Sequence, residues 1–339
     1  MRLVVALLVV CSFASSPTYA GSIALVDAYV ENDVRLFSGV SDSDRHYTQG
    51  LHFRVGFAEG DLPRFITAPR RLSRWIGRLC DQRNCATGFT FGQSIYTPQN
   101  IRRPLLPPRD RSYAAWLYGG FLLQAREPGV ALHTLEADIG VVGPHAYGEQ
   151  IQTWWHNEIV HVKPPLGWEH QIRDEPAVML RYMQQRRLTE RTSDNGRRVL
   201  DVLLRGGGSV GNVFTLASVG PAFRFGYNIN DQFGERPLTV AGPPAVAPRT
   251  ERIIAYAFVG ADGRFVLHNI FLDGNCCRSD AASQRVEKRR FVGDAEGGIV
   301  LGYEPFRLTW RQVRRSREFA RQQRGDIFGS LEFTYSRSL

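Results

Sequence analysis

Apolar and polar residues alternate along this chain in stretches of about ten residues, a period that only half-buried β-strands satisfy. Leu51, Phe53, Val55 and Phe57 alternate with His52, Arg54 and Gly56. Leu135, Ala137, Ile139 and Val141 alternate with Thr134, Glu136, Asp138 and Gly140. Phe306, Leu308 and Trp310 repeat the pattern against Arg307, Thr309 and Arg311, as do Leu331, Phe333 and Tyr335 against Glu332, Thr334 and Ser336. A soluble β-sandwich alternates too. Two features point instead to a barrel in a membrane. The runs are as long as a tilted spanning strand. Their polar faces mix charges with glycines, as a wet lumen does, while the apolar faces carry aromatics suited to a lipid interface.

The pattern predicts strands at roughly 22–31, 47–58, 87–97, 112–125, 131–142, 175–187, 197–210, 213–227, 251–272, 290–303, 305–318 and 327–337. Asp262-Gly263 has the chemistry of a hairpin turn, which would give an odd total. Bacterial barrels have even strand numbers, so the ninth run is read as one long strand with a bulge there. The expected fold is all-β: an antiparallel transmembrane barrel of about twelve strands.

The N-terminus reads as an export signal. Arg2 precedes an apolar run from Leu3 to Phe13, and Thr18-Tyr19-Ala20 supplies small residues for cleavage after Ala20. That run is too short for a transmembrane helix. Residues 1–20 are thus expected to be a signal peptide and 21–339 one barrel domain in a bacterial outer membrane. No linker, repeat or long apolar helix interrupts the rest. The formal charge is +9 and arginine greatly outnumbers lysine, which favours anionic partners and bidentate phosphate contacts. Nucleic acid is not expected outside the cytoplasm. Cys80 and Cys85 suit a disulfide in an oxidising compartment. Cys276 and Cys277 are adjacent and strained as a pair, so each is read as a free thiol or as bonded elsewhere.

With the N-terminus in the periplasm, the polar clusters gather at the extracellular rim. Glu31-Asn32-Asp33 ends the first strand there, and Tyr47-Thr48-Gln49-Gly50 begins the second. Tyr96-Thr97-Pro98 leads into Arg102 and Arg103. Gly140 to Pro144 leads into a helix over 148–162, on which Glu149, Gln152 and His156 share one face. Each has an ordinary alternative: Asn32-Asp33 as a turn cap, Thr48 as lumen lining in phase with Gly50 and His52, and the arginines as solvated charge. Together they suit ester hydrolysis. His156 is a general base available near neutral pH, Asp33 could orient it or hold a cation, and no GxSxG elbow suggests a serine nucleophile.

These segments, with Gln93-Ser94-Ile95-Tyr96-Thr97-Pro98, Leu272-Asp273-Gly274-Asn275 and Arg315-Ser316-Arg317-Glu318-Phe319, resemble the LpxR family of lipid A 3′-O-deacylases over nearly the whole mature chain. The resemblance implies a twelve-stranded barrel and a Ca2+-dependent hydrolase that removes the 3′ acyloxyacyl group of lipid A in the outer leaflet. It implies Asn32, Asp33, Thr48 and His156 as the active residues, with His156 activating a water and Asp33 and Asn32 holding the cation. Substrate contacts would fall on Arg102, Arg103 and Gln152. Two departures stand out: arginine replaces the family's lysine after the Tyr-x-Pro motif, and Glu158-Ile159-Val160-His161 replaces an Ile-Ile-Gly or Leu-Ile-Gly stretch. The rivals are a non-enzymatic barrel, as channel or adhesion scaffold, and a serine-dependent phospholipase. No protein partner is expected.

Overall fold

The computed structural model describes residues 23–32, 45–58, 74, 77–81, 83–105, 110–229, 233, 253–276 and 285–336. The proposed leader, Asp33 and Cys277 lie outside them. Twelve antiparallel strands close into a barrel: β1 (Ile23–Asn32), β2 (His46–Phe57), β3 (Asn84–Thr97), β4 (Ala114–Glu127), β5 (Ala131–Val142), β6 (Glu175–Thr192), β7 (Arg198–Gly211), β8 (Phe214–Tyr227), β9 (Ile253–Asn269), β10 (Phe291–Tyr303), β11 (Phe306–Arg315) and β12 (Asp326–Ser336). Each pairs with its sequence neighbours, and β1 closes the ring on β12. Among the described residues no helix is long and apolar enough to cross a membrane. Spanning is left to the strands, whose backbone groups are satisfied around the closed ring.

The ninth run is a single strand, but its bulge lies elsewhere than expected. Asp262 and Gly263 stay in register with β10, and the extra residue is Leu267, between the pairs Thr215–His268 and Leu216–Val266. The alternation runs through Asp262-Gly263 because Asp262 is needed on the inner face, where it pairs with Arg205.

Inside, the alternation delivers ion pairs. Arg54 meets Asp27 at 3.2 Å, and Arg181 meets Asp138 at 3.0 Å. Arg205 engages both Asp262 and Glu296. Arg187 and Arg224 converge on Asp201, and Arg264 and Arg315 on Asp294. Removing one partner of such a pair strands a buried charge at a cost of about 3–5 kcal/mol, so the network locks the strands in register. Phe89, Phe91, Ile139, Val178, Phe223, Val259 and Leu301 point the other way and are exposed, as a lipid-facing belt requires.

One rim carries the organised loops. There α1 (Gly148–Trp155) follows β5, and α2 (Ile270–Asp273) follows β9. The α2 turn plugs the mouth: Phe271 stacks on Tyr96 with ring centroids 3.8 Å apart and packs on Phe214 at 5.4 Å. Burial works against ionisation of Asp273. Hydrogen bonds from His268, Lys288 and the Asn269 backbone outweigh it and bring its carboxyl down to about 2. Toward the opposite end, Cys80 and Cys85 form the expected disulfide; Cys276 is an exposed thiol.

Candidate active site on the outer wall

The site is assembled on the outside of the barrel wall at the loop-bearing rim. On β3 one outward row runs Phe89, Phe91, Gln93, Ile95, Thr97. Exposure along it falls from 45% and 53% at the two phenylalanines to 5%, 0% and 0% at the next three. The polar end of this row is covered by the β5–β6 excursion. Gln93 Nε2 donates to the Ala146 carbonyl at 2.6 Å. Ile95, Ala115, Ala146, Trp168, Ile101 and Tyr113 form a compact apolar cluster with Ile151 against it. The first residue of α1 sits so close that a Cβ on Gly148 would lie 2.5 Å from Ala115 and 2.6 Å from Trp168. Glycine there is a packing requirement.

Thr48 belongs to this outer surface, not to the lumen as the alternation predicted. Tyr47 pairs with Tyr96, but Gln49 pairs with Ile95, so β2 carries an extra residue at Thr48. Tyr47 takes the lumen position, donating to Glu31, and the Thr48 hydroxyl lies 2.6 Å from that of Thr97. A bulge re-aims a side chain in this way by shifting the period by one. Asn32, the last residue of β1, pairs with Gln49 and shares the outward row of Ala28 and Val30.

Gln152 and His156 are both buried, at 1% and 3% exposure. They are one turn apart and so share a helix face. Glu149 does not join them. It is exposed and lines a shallow outer cleft of about 460 Å³ with Gln150, Thr153, Trp154, Asn157 and Glu158, because the helix bears on the wall through Gly148 and Gln152 and the next residue after Gly148 points about 100° away. The helix is shorter than expected. It gives way at His156 to a π-turn through Val160, ended by His161 in the left-handed conformation. This widening, where the sequence reads Glu158 to His161, brings the Lys163 carbonyl to 2.9 Å from His156 Nδ1. A carbonyl only accepts, so Nδ1 carries the proton, and in the neutral imidazole Nε2 is then the acceptor. Gln152 is oriented by the same logic. The Trp168 indole, a donor only, gives its N–H to Gln152 Oε1 at 3.0 Å. The amide nitrogen of Gln152 is buried and meets no hydrogen-bond acceptor among the described residues.

Arg102 and Arg103 are exposed and form no ion pair with a described residue. Their loop is tied to the turn that presents Trp168. Leu166 N donates to Ile101 O at 2.8 Å, and Tyr113 Oη donates to Leu166 O at 2.6 Å. Gly167, at φ +99, leaves no room for a Cβ beside the Pro104 carbonyl. The structure ties the backbone beside Arg102 and Arg103 to the Trp168 turn, and Trp168 to Gln152, on whose helix face His156 lies; Asn32 and Thr48 stand on the neighbouring strands β1 and β2. Sequence reading quoted Gln93 and Thr97 in a motif without giving them a role, and missed Trp168 and the Lys163 carbonyl. Gln93 and Thr97 did carry a signal, as polar residues on a row that is aromatic two positions earlier.

The family model for outer membrane protein LpxR matches residues 3–337. The chain belongs to the LpxR family. Membership makes it an outer-membrane protein and a lipid A deacylase, an ester hydrolase. Among solved structures it is similar to LpxR from Salmonella typhimurium, with a TM-score of 0.74 and 20% identity over 93% of this chain and 100% of that one. The translocator domain of the autotransporter NalP from Neisseria meningitidis matches at a TM-score of 0.43 and 8% identity over 98% of this chain and 94% of that one. No curated relative matches. The calcium that LpxR membership implies has no cluster of three or more His, Cys, Asp or Glu side chains among the described residues. The donors at the rim do fit it chemically: Asn32 and Thr48 offer hard amide and hydroxyl oxygens, and Asp33 lies outside the described residues.

Proposed function

We propose that this LpxR-family chain hydrolyses the ester at the 3′ position of lipid A, with the loop-bearing rim facing the cell exterior and His156 as general base. Export by a leader over residues 1–20 would bring it there. The observation that carries the reading is the buried His156, held through Nδ1 by a backbone carbonyl against the outer wall of the barrel. An esterase acting on a lipid of the outer leaflet needs its base on the lipid side of the wall, and that is the side on which α1 packs.

Nε2 of His156 takes a proton from a water, and the water oxygen attacks the ester carbonyl. As the tetrahedral intermediate collapses, the same nitrogen returns the proton to the departing 3′ oxygen, leaving a free hydroxyl and a fatty acid. Gln152, its carbonyl committed to Trp168, turns amide hydrogens toward the oxygen that gains charge. Asn32 and Asp33 would hold a calcium ion, which when bound supplies Lewis-acid polarisation of the carbonyl. Thr48 orders the Asn32 edge through its bulge. Arg102 and Arg103 receive lipid A phosphates as bidentate acceptors.

Mass spectrometry of lipid A from cells expressing the wild type and His156→Asn tests this. The wild type should yield lipid A lacking the 3′ acyloxyacyl group. The folded variant should lose about 10²–10⁴-fold in rate. Turnover at the wild-type rate in a correctly folded His156→Asn protein would overturn the assignment.

A further inference from the structure

A second basic surface stands at the same rim, apart from the Arg102–Arg103 loop. The loops after β9 and β11 are stitched together. Lys288 and Phe319 form a β-bridge, Arg289 N donates to Glu318 O at 2.7 Å, and Ala320 N donates to Glu287 O at 2.9 Å. The ribbon is anchored across the mouth by Arg111, which reaches Glu318 at 3.2 Å. It is anchored beneath by Phe319, buried against the His46 ring.

This braced ribbon displays Arg289, Arg290, Arg317, Arg321 and Arg324, all exposed. Arg314 joins them from the outward row of β11, above Leu308, Trp310 and Gln312. None of the six forms an ion pair with a described residue. The nearby carboxylates are mostly committed elsewhere. Glu318 faces Arg111 and Arg315, Asp326 faces His46 and Arg45, and Asp273 holds Lys288. Only Glu287 of these two loops is an exposed acid among the described residues. Lumen arginines such as Arg54, Arg181 and Arg205 face acids, whereas among the described residues the ribbon carries more positive charge than its own acids offset.

We propose that the ribbon is a docking surface for the phosphates of a second, non-substrate lipid A molecule in the outer leaflet. This rests on the reading that the rim faces outward. A membrane leaflet is what places a phosphate layer against an arginine on a lipid-facing strand row: Arg314 reaches up from the aromatic belt to headgroup level, as interfacial arginines do. The ribbon arginines sit on the loops at this same end of β10 and β11, and planar guanidinium groups match phosphate oxygens in pairs. The lipid held there would seat the barrel at a set depth beside the catalytic wall, since β12 adjoins β1, whose Asn32 pairs with Gly329.

The test uses full-length protein in neutral detergent carrying His156→Asn, so that no lipid is consumed. Bound lipids are counted by native mass spectrometry with diphosphorylated and with dephosphorylated lipid A, at low and high salt. Replacement of Arg289, Arg290, Arg317 and Arg321 by Gln should remove at least one bound diphosphorylated lipid and weaken its affinity about tenfold or more. Binding of the dephosphorylated lipid should not change. The four Arg→Lys replacements keep the charge but lose the paired geometry, so their affinity should fall between that of the parent and that of the Gln variant, and heat-modifiable migration checks that each barrel is folded. With His156 restored, hydrolysis of detergent-dispersed substrate by the Gln variant should stay within about twofold of wild type, the margin of an ordinary surface change. Unchanged stoichiometry and affinity in the folded Gln variant would overturn the proposal. So would equal binding of both lipids, or capture of inorganic pyrophosphate without lipid A. A chain that binds through the ribbon but never releases fatty acid would retire the deacylase reading and leave the ribbon standing.

Discussion

Trp168→Phe isolates the orientation of one amide. The indole N–H lies 3.0 Å from Gln152 Oε1. Phenylalanine keeps an aromatic ring against Tyr113, whose centroid is 4.9 Å away, and removes the donor. The hydrogen bond restraining Gln152 is neutral and worth about 0.5–1.5 kcal/mol net. If that restraint is what holds the amide hydrogens toward the developing oxyanion, its loss converts to roughly a 2- to 10-fold fall in kcat. Deleting the amide with Gln152→Ala removes the donor itself, and a lost oxyanion-hole donor costs about 10²–10³-fold. The two changes act through one interaction, so the double variant should match Gln152→Ala, not the product of the two losses. KM should move little, since the donor acts on charge that appears only in the transition state. The assay is fatty-acid release from detergent-dispersed lipid A by mass spectrometry, on barrels shown to be folded. Full additivity of the two losses would refute the orienting role, as would a Trp168→Phe variant with lowered thermal stability and unaltered kcat.

Replacing Arg102 and Arg103 by Ala should lower kcat/KM on phosphorylated lipid A more than on a dephosphorylated analogue, and high salt should not erase the difference; equal losses would exclude phosphate reading. A chelator should abolish release of fatty acid from dilute micelles, and added Ca2+ should restore it; indifference to chelation would remove the cation from the reaction while leaving a His156-activated water possible. Asp273 contributes a pH-dependent brace to the mouth. Its folded carboxyl is depressed to about 2, below the ordinary value near 3.9. The stabilisation is therefore present above about pH 4 and lost as pH falls toward 2. Thermal melts of wild type and Asp273→Asn should differ at neutral pH and converge below about pH 2, and a constant difference would refute the assignment.

Much of this molecule was legible in order along the chain. A period of two is a local property, so Leu51 to Phe57 or Phe306 to Arg311 announce strands without knowledge of their partners, and twelve such runs closing evenly follow from the rule that a barrel has no free edge. That Gln152 and His156 share one helix face was also local, since a helix repeats within a few residues, although Glu149, placed with them by the same spacing, is exposed. What could not be read was set by contacts between distant segments. Thr48 was placed in the lumen because its parity matched Gly50, yet pairing with β3 inserts a bulge there and turns the side chain to the outer wall. The bulge of β9 moved to Leu267 because Asp262 is held inside by Arg205, 57 residues away. Trp168 meets Gln152 across 16 residues, and Lys163 reaches His156 only through the π-turn. Alternation and amphipathicity decide which residues leave water; which of the two faces of the wall carries the candidate site is decided by a helix that folds back over it, and that depends on tertiary packing, which no window of sequence contains.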